Sequence, residues 1–122
     1  MPLRITDTLY RIGQEAIANA VRHAHPAGIT IALEYEKNLV RLIIADDGIG
    51  FTPGGDLRGF GVRGMRKRAA SISARLELFS APGQGTRIQV AAPLPPPITW
   101  MSWPRIFMKR LWEYRFNVKP AK

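Results

Sequence analysis

The sequence contains no cysteine and only 2 histidines among its 122 residues. The absence of cysteine excludes disulfide bonds and cysteine-based zinc or redox centres. No run of about 18 apolar residues occurs, so the sequence predicts no membrane-spanning helix. The first residues also lack the charged-then-apolar pattern of a secretory signal. Apolar residues make up 46% of the chain, enough to bury one core. We therefore expect a single cytoplasmic domain.

The net charge of +9 is concentrated towards the C-terminus. Residues 1–94 hold 12 Lys/Arg and 8 Asp/Glu, whereas residues 95–122 hold 6 Lys/Arg and 1 Glu. In this tail, tryptophan and phenylalanine side chains alternate with basic ones. A basic amphipathic helix from Pro104 onward would make the protein membrane-peripheral or bind a protein partner through residues 100–116. A poorly ordered extension is the alternative. We expect no nucleic-acid partner.

Hydrophobic periodicity predicts two helices and four strands. The first helix covers residues 6–24, is started by Thr6 or Asp7 and is ended by Pro26 and Gly28. The second helix is short and basic and covers residues 62–73. Alternating patterns predict strands over residues 29–35, 39–45, 74–79 and 86–92. This order indicates an α/β two-layer sandwich, with a mixed sheet and the helices on one face. The predicted domain is 1–94, followed by a Pro-rich linker and basic aromatic tail over 95–122.

Polar residues form a narrow stripe on the first predicted helix. Glu15, Asn19, Arg22 and His23 are spaced by four, three and one, at the border of its apolar face. At such a border they could line a cleft between helix and sheet. Oxygen ligands suit Mg²⁺ and a guanidinium suits phosphate. A solvated polar face is the alternative.

The segment Asp46-Asp47-Gly48-Ile49-Gly50-Phe51 follows a buried strand directly. A carboxylate at a strand end can accept a hydrogen bond from the exocyclic amine of adenine. The two glycines would let the backbone approach the ring, because no Cβ intrudes. A simple Asp-Gly turn is the alternative.

Two further glycine-containing segments lie downstream. Gly59-Phe60-Gly61-Val62-Arg63-Gly64-Met65 opens the second helix, where free N–H groups could face phosphate. The segment matches neither the Walker nor the Rossmann pattern. Gly83-Gln84-Gly85-Thr86 lies in the last hairpin and is, by itself, typical of a plain turn.

Taken in this order, the segments LYRIGQEAIANAVRHA, DDGIGF, GFGVRGMRKRA and GQGT resemble the ATP-binding catalytic domain of histidine kinases. That domain belongs to the gyrase, Hsp90, histidine-kinase and MutL superfamily. The resemblance covers residues 8–94 and is strongest to sensor kinases that pair with NarL/LuxR-type response regulators. It implies a Bergerat-type ATP-binding fold, ATP and Mg²⁺ as cofactors, and transfer of phosphate to a histidine.

The resemblance also implies roles by position. Asn19 resembles the asparagine that holds Mg²⁺, and Glu15 resembles the neighbouring acid, a general base in the ATPase relatives. Catalytic and metal-binding roles are thereby implied for both. Arg22 and His23 stand where the family places phosphate or nucleotide contacts. Asp46 resembles the adenine-reading aspartate, so we expect Asn19 and Asp46 to face one shared hollow. The other implied nucleotide-binding positions are Gly48, Gly50, Phe51, Gly59, Gly61, Val62, Gly64, Met65, Gly85 and Thr86.

The sequence also departs from the family. Phe60 stands where the lid often has histidine, and Ser73 and Ala74 stand where glycines are usual. The family's upstream dimerisation domain, with its phospho-accepting histidine, is not represented. His23 and His25 lack the acidic neighbour of acceptor motifs. We therefore expect the acceptor histidine to come from a dimerisation domain or a full-length kinase, acting with a NarL/LuxR-type response regulator.

Two other functions remain open. Anti-sigma-factor serine kinases share a similar nucleotide fold and are small single-domain proteins, although the lid sequence GVRGMRKRA favours the sensor kinases. A non-catalytic ATP-binding or interaction module is the third interpretation.

Overall fold

A computed structural model describes residues 1–24, 26–51, 61–95 and 112–117 of the chain. Its elements in chain order are α1 (Leu3–Asn19), a π-helix (Ala20–Ala24), β1 (Gly28–Glu36), β2 (Leu39–Asp46), α2 (Val62–Ser71), β3 (Arg75–Ser80), β4 (Thr86–Pro93) and β5 (Trp112–Asn117). The predictions made for Gly59, Phe60 and His25 lie outside the described residues, as does most of the tail. None of the described helices is both long and apolar enough to cross a bilayer.

Helix α1 begins earlier than its sequence predicts. Pro2 occupies the N-cap with φ −55°, and its carbonyl accepts hydrogen bonds from the N–H groups of Ile5 and Thr6, both at 3.1 Å. No side chain caps the helix, so the prediction that Thr6 or Asp7 starts it is wrong. After Asn19 the helix widens into the π-helix, a rare form often found at functional sites. Apolar periodicity predicted the helix but not this widening.

The strands form one sheet in the order β3-β4-β2-β1-β5. Every adjacent pair is antiparallel, so the prediction of a mixed sheet is wrong for the described strands. The reason is that β4 lies between β2 and β3. The crossover carrying α2 therefore never joins two neighbouring parallel strands. The α/β two-layer fold itself is confirmed: α1 packs on β2 and β4, and α2 packs on β3 and α1.

The core lies between the helices and one face of the sheet. Its most completely buried members come from every layer: Ile12 of α1, Ile29 of β1 and Val90 of β4 are each 0% exposed, and Met65 of α2 is 1% exposed. Alternation along the strands puts Ile29 and Val90 on the face that packs against the helices, as the sequence pattern predicted. Burial of this apolar surface provides the main stabilisation of the fold.

The C-terminal tail contributes a strand. Residues Trp112–Asn117 pair antiparallel with β1, from Gly28↔Asn117 to Leu33↔Trp112. The amphipathic helix considered from Pro104 onward is therefore wrong over this segment. Residues 96–111 lie outside the described part of the chain. The division into 1–94 and 95–122 stays a prediction, although β5 joins the same sheet as the four earlier strands.

Asp47 ties three parts of the chain together. Its Oδ1 accepts hydrogen bonds from the N–H groups of Ala27 at 2.8 Å and Gly28 at 3.0 Å, where the chain enters β1. Its Oδ2 receives the Arg115 guanidinium of β5 at 3.0 Å. The N–H of Gly28, with Arg115 and the N–H of Ala27, holds the pKa of Asp47 below its ordinary value.

We expect Asp47→Asn to lower the thermal midpoint at pH 7 by a few degrees, because asparagine cannot pair with Arg115. A depressed folded-state pKa gives stability that is present above the unfolded-state pKa and is lost as pH falls through the folded value. The difference between the wild type and the variant in thermal melts should therefore shrink below pH ~4. As a control, Asp7→Asn removes only an exposed ion pair with Arg11 and should change little. An equal difference at all pH values would contradict this account.

Candidate functional site

A row of side chains crosses the end of the sheet's helix-facing side. Asp46 of β2 lies opposite Ile29 of β1 and opposite Thr86 of β4, and Thr86 lies opposite Ser80 of β3. Residues two apart on a strand point to the same face. Ile44 and Ile88, two positions before Asp46 and after Thr86, are core residues. Asp46 and Thr86 therefore continue the core-facing side of their strands at the point where apolar packing ends. We call Asp46, Thr86 and Ser80 the polar row.

A cavity of about 220 Å³ lies between this row and α1. Asn19 is a buried polar residue, 8% exposed, and it lines this cavity together with Asp46. The expectation that these two residues share one hollow is confirmed. The other lining residues are mostly apolar: Ala16, Ala20, His23, Ala24, Ile44, Ile49, Gly50, Phe51, Val62, Leu78, Thr86 and Ile88.

Asp46 is a carboxylate held in partial burial. Burial raises its pKa above the ordinary aspartate value, and the N–H groups of Gly48 and Thr86 oppose that rise. The Gly48 N–H donates to Oδ1 at 2.8 Å. The neighbouring charge of Asp47 adds to the rise. Because the pKa of Asp46 is higher in the folded state than in the unfolded state, ionising Asp46 costs stability. This cost appears as the pH rises through the unfolded-state pKa. This is typical of a group kept for binding rather than for folding.

The loop after β2 is fixed by backbone contacts on both sides of the cavity. The N–H of Ile49 donates to the carbonyl of Ala24 at 2.9 Å, at the end of the π-helix. The carbonyl of Ile49 accepts from the N–H of Gly83 in the β3–β4 turn at 2.6 Å. The N–H of Phe51 donates to Ser80 Oγ at 2.9 Å. The loop therefore connects the end of the first helical segment to the last hairpin.

The glycines beside Asp46 serve this internal packing. A Cβ at Gly48 would lie 2.3 Å from the carbonyl oxygen of Ala24, and one at Gly50 would lie 2.0 Å from that of Ala81. The sequence suggested that both glycines let the backbone approach a ligand. In the structure the close neighbour is the chain's own backbone at both positions, although Gly50 also lines the cavity. No side chain larger than hydrogen fits without moving the loop.

The start of α2 lies beside the polar stripe of α1. Gly61 is the N-cap residue with φ 65°, and a Cβ there would lie 2.6 Å from the carboxylate of Glu15. Val62 reaches the cavity, whereas Gly61, Gly64 and Glu15 line a neighbouring groove of about 620 Å³ between the helices. A Cβ at Gly64 would meet no atom within 4 Å, so packing does not require glycine at that position.

The remaining predicted residues are divided between these regions. His23 lines the cavity, whereas Gly85 lines a separate hollow beside Ser80 and packs against the backbone of Asp46, whose carbonyl oxygen a Cβ at Gly85 would meet. Met65 is 1% exposed and belongs to the core. Arg22 lies outside the cavity, with its exposed guanidinium 3.7 Å from the half-buried Glu15 carboxylate. The stripe predicted on α1 is therefore split: Asn19 and His23 line the cavity, Glu15 lines the neighbouring groove, and Arg22 lines neither.

Ser80 was missed in the sequence. Its Oγ lies 2.8 Å from Thr86 Oγ1 and 3.0 Å from the Gly85 carbonyl oxygen, besides accepting from Phe51. The sequence carried a usable signal. The turn Ala81–Gly85 separates Ser80 from Thr86, so a hairpin closed by that turn pairs the two residues directly. The predicted strand ended one residue too early for this pairing to be noticed.

The need for glycine at position 85 can be tested against a matched control. Gly83 and Gly85 both have positive φ, 78° and 75°, but a Cβ at Gly83 meets nothing within 4 Å. Alanine at either position costs about 1–2 kcal/mol of backbone strain. We expect Gly85→Ala to lose clearly more stability in urea unfolding than Gly83→Ala, because only the first collides with the backbone of Asp46. Equal losses would show that the collision is relieved without cost.

Comparisons with known proteins agree with this geometry. Residues 5–96 match the sequence profile described as "Histidine kinase-, DNA gyrase B-, and HSP90-like ATPase". The chain is 41% identical over 95 residues to the sensor protein VraS of Staphylococcus haemolyticus, and equally to that of Staphylococcus aureus strain COL. The match covers 77% of this chain but 27% of each relative, so the chain spans about a quarter of their length.

A solved structure shows the same fold. The histidine kinase domain of the Erythrobacter litoralis EL346 blue-light activated histidine kinase superposes with a TM-score of 0.66 at 22% sequence identity. The superposition covers 77% of this chain and 46% of that one. It shows that the fold is shared, and the profile match over residues 5–96 establishes that the chain belongs to the histidine kinase-, DNA gyrase B- and HSP90-like ATPase family.

Proposed function

We propose that the chain binds Mg·ATP in the cavity shared by Asn19 and Asp46 and donates phosphate to a histidine of a dimerisation domain or full-length kinase. The observation that carries the proposal is this juxtaposition: a buried amide and a partly buried carboxylate lie on one mostly apolar cavity. An apolar cavity with a few polar groups suits a flat heterocycle attached to a polar chain.

The adenine ring would lie at the sheet end of the cavity. An ionised carboxylate only accepts hydrogen bonds, so Asp46 selects a base that presents an amino group. The apolar side chains of Ile44, Leu78 and Ile88 line the same cavity and would pack against the ring. The Thr86 hydroxyl is adjacent to Asp46 across the β2–β4 pair and would meet the neighbouring ring atom.

The phosphates would extend towards the start of α2. Helix N-termini present free N–H groups and the positive end of the helix dipole, and Gly61 and Val62 begin α2 beside Asn19 and Glu15. His23, Arg22, Gly64 and Gly59 are the further proposed contacts of the nucleotide.

The side-chain oxygen of Asn19 is proposed to hold Mg²⁺ from the cavity, and the carboxylate of Glu15, one turn away beside Gly61, is proposed to reach the metal from the side of the neighbouring groove. In the described part of the chain no three His, Cys, Asp or Glu residues converge on one point. This fits Mg²⁺, which typically binds one or two protein groups together with substrate phosphates and water. The metal would neutralise developing charge on the phosphates. Glu15 and Asn19 would orient the reacting group, since phosphoryl transfer depends mainly on positioning and electrostatics.

The partners follow from the sensor-kinase resemblance. We propose that the phosphorylated histidine serves a response regulator of the NarL/LuxR type. The tail over residues 100–116 remains a proposed contact for a membrane surface or a protein.

ATP binding provides the first test. We expect Asp46→Asn and Asn19→Ala each to weaken Mg·ATP binding at least about tenfold in calorimetry, because each removes a charged or buried hydrogen-bonding group. Asp7→Asn and Asn38→Ala are the matched controls on exposed positions and should bind as the wild type does. Asp46→Asn should remain folded, since it removes a partly desolvated charge. Unchanged affinity in both site variants would refute the site.

Phosphate transfer provides the second test. The purified chain, with radiolabelled ATP and Mg²⁺, should label the separately expressed dimerisation domain of the 41% identical staphylococcal relative. The Asn19→Ala variant should reduce labelling to background, and Asn38→Ala should not. Normal ATP binding without any transfer would instead favour a non-catalytic ATP-binding module, and labelling of a serine would favour the serine-kinase alternative.

A further inference from the structure

Arg115 of β5 contacts both the start of β1 and the loop after β2. Its guanidinium lies 3.0 Å from Asp47 Oδ2 and donates to Thr30 Oγ1 at 3.2 Å. A Cβ at Gly28 would lie 2.6 Å from a guanidinium nitrogen, so glycine leaves the space that Arg115 fills. These three residues, far from Arg115 in sequence, are thus arranged to receive it. We call Gly28, Thr30 and Asp47 the arginine socket.

The arginine socket is joined to the proposed ATP cavity from two sides. Asp47 follows Asp46 directly, and its Oδ1 accepts a hydrogen bond from the N–H of Ala27. The chain before Ala27 leads back to Ala24, whose carbonyl accepts the N–H of Ile49. Asp46, Ala24 and Ile49 all line the cavity. Fixing Asp47 therefore fixes two walls of the cavity that belong to different parts of the chain.

Charge acts in the same direction as these contacts. Burial raises the pKa of Asp46, and the neighbouring charge of Asp47 adds to the rise. A nucleotide triphosphate would bring further negative charge to this region. The Arg115 guanidinium offsets the charge of Asp47, so docking of β5 makes the surroundings of the cavity less repulsive to an anionic ligand.

β5 lies beyond the part of the chain that carries the family pattern. Residues 5–96 match the family profile, whereas β5 covers residues 112–117. The residues that line the cavity in the described part of the chain all fall within the match. β5 is therefore an addition to the nucleotide-binding unit and forms none of these walls. It can influence a ligand only through the residues that it touches.

We propose that Arg115 is a positioning residue for nucleotide binding: by docking in the arginine socket, it couples the pairing of β5 with β1 to the affinity of the cavity for Mg·ATP. This proposal rests on the proposed ATP site. Docked β5 fixes the loop after β2 before the ligand arrives, which lowers the ordering cost of binding. Such coupling is reciprocal, so bound Mg·ATP strengthens the docking of β5 by the same factor. β5 is thus a regulatory strand, and its release from β1 weakens nucleotide binding.

Calorimetry with Mg·ATP on the full chain tests the first half of this coupling. Arg115→Ala should bind about two- to fivefold more weakly than the wild type, the range expected for loss of an exposed ion pair. Arg115→Lys keeps a charge near Asp47 and should restore part of the affinity. Arg75→Ala is the matched control, because it removes an exposed arginine at the opposite end of the sheet and should bind as the wild type does. Unchanged affinity in Arg115→Ala overturns the proposal.

A double-mutant cycle shows whether Arg115 acts through Asp47. In the Asp47→Asn background, Arg115→Ala should cost no further affinity, because the contact that transmits the effect is already lost. An equal cost in both backgrounds would mean that Arg115 acts only as a general positive charge, and it would overturn the proposal.

Hydrogen exchange tests the reciprocal half and separates it from a purely structural role. In the wild type, saturating Mg·ATP should slow exchange of the backbone N–H groups of residues 112–117 by the same factor that calorimetry gives for Arg115→Ala. The slowing should vanish in Arg115→Ala. A strand that only stabilises the sheet exchanges at the same rate with and without nucleotide, and that result rejects the coupling.

The two proposals fail separately. Binding of Mg·ATP that is lost in Asp46→Asn but unchanged in Arg115→Ala supports the site and overturns the role of Arg115. Failure of the wild type to bind Mg·ATP overturns the site and the role of Arg115 together.

Discussion

The pairing of β2 with β4 is the constraint on which the rest of the site depends. Their antiparallel register sets Asp46 opposite Thr86 at the end of the helix-facing side of the sheet. Because successive residues of a strand face opposite sides, a slip of one residue would turn Asp46 away from the helices. The buried residues Val40, Ile44, Ile88 and Val90 on the same strands prevent that slip. The apolar core and the polar row are thus positioned by the same alternation.

The consecutive aspartates Asp46 and Asp47, at the end of β2, have opposite pKa shifts and different roles. Asp46 faces the cavity, and burial raises its pKa, so its charge is costly to the empty protein. Asp47 accepts backbone N–H groups from the start of β1 and pairs with Arg115, and its pKa is lowered. One carboxylate is therefore suited to bind a ligand and the other to hold the loop and β5 in place. Both depend on the tight turn that Gly48 allows against Ala24.

Local patterns predicted the strands well and the long-range pairings poorly. Alternation located β1 and β2 to within a residue at each end, because half-buried strands repeat every two residues. It could not show that β4 inserts between β2 and β3, or that residues 112–117 pair with β1, since those contacts join distant segments. The widening of α1 into a π-helix was also invisible, because it changes backbone hydrogen bonds and leaves the apolar spacing intact.

The sequence predicted the site from polar residues at the border of an apolar helix face. Position on the helix alone did not show which of these residues line the same cavity. Asn19 and Glu15 are one turn apart, yet they open on different hollows. Ser80 was overlooked because its importance comes from its partners.

The most direct measurement of the whole account is a crystal structure of the chain with Mg²⁺ and a non-hydrolysable ATP analogue. We predict the 6-amino group of adenine within hydrogen-bonding distance of the Asp46 carboxylate and the metal next to Asn19. A nucleotide bound elsewhere, with this cavity empty, would contradict it.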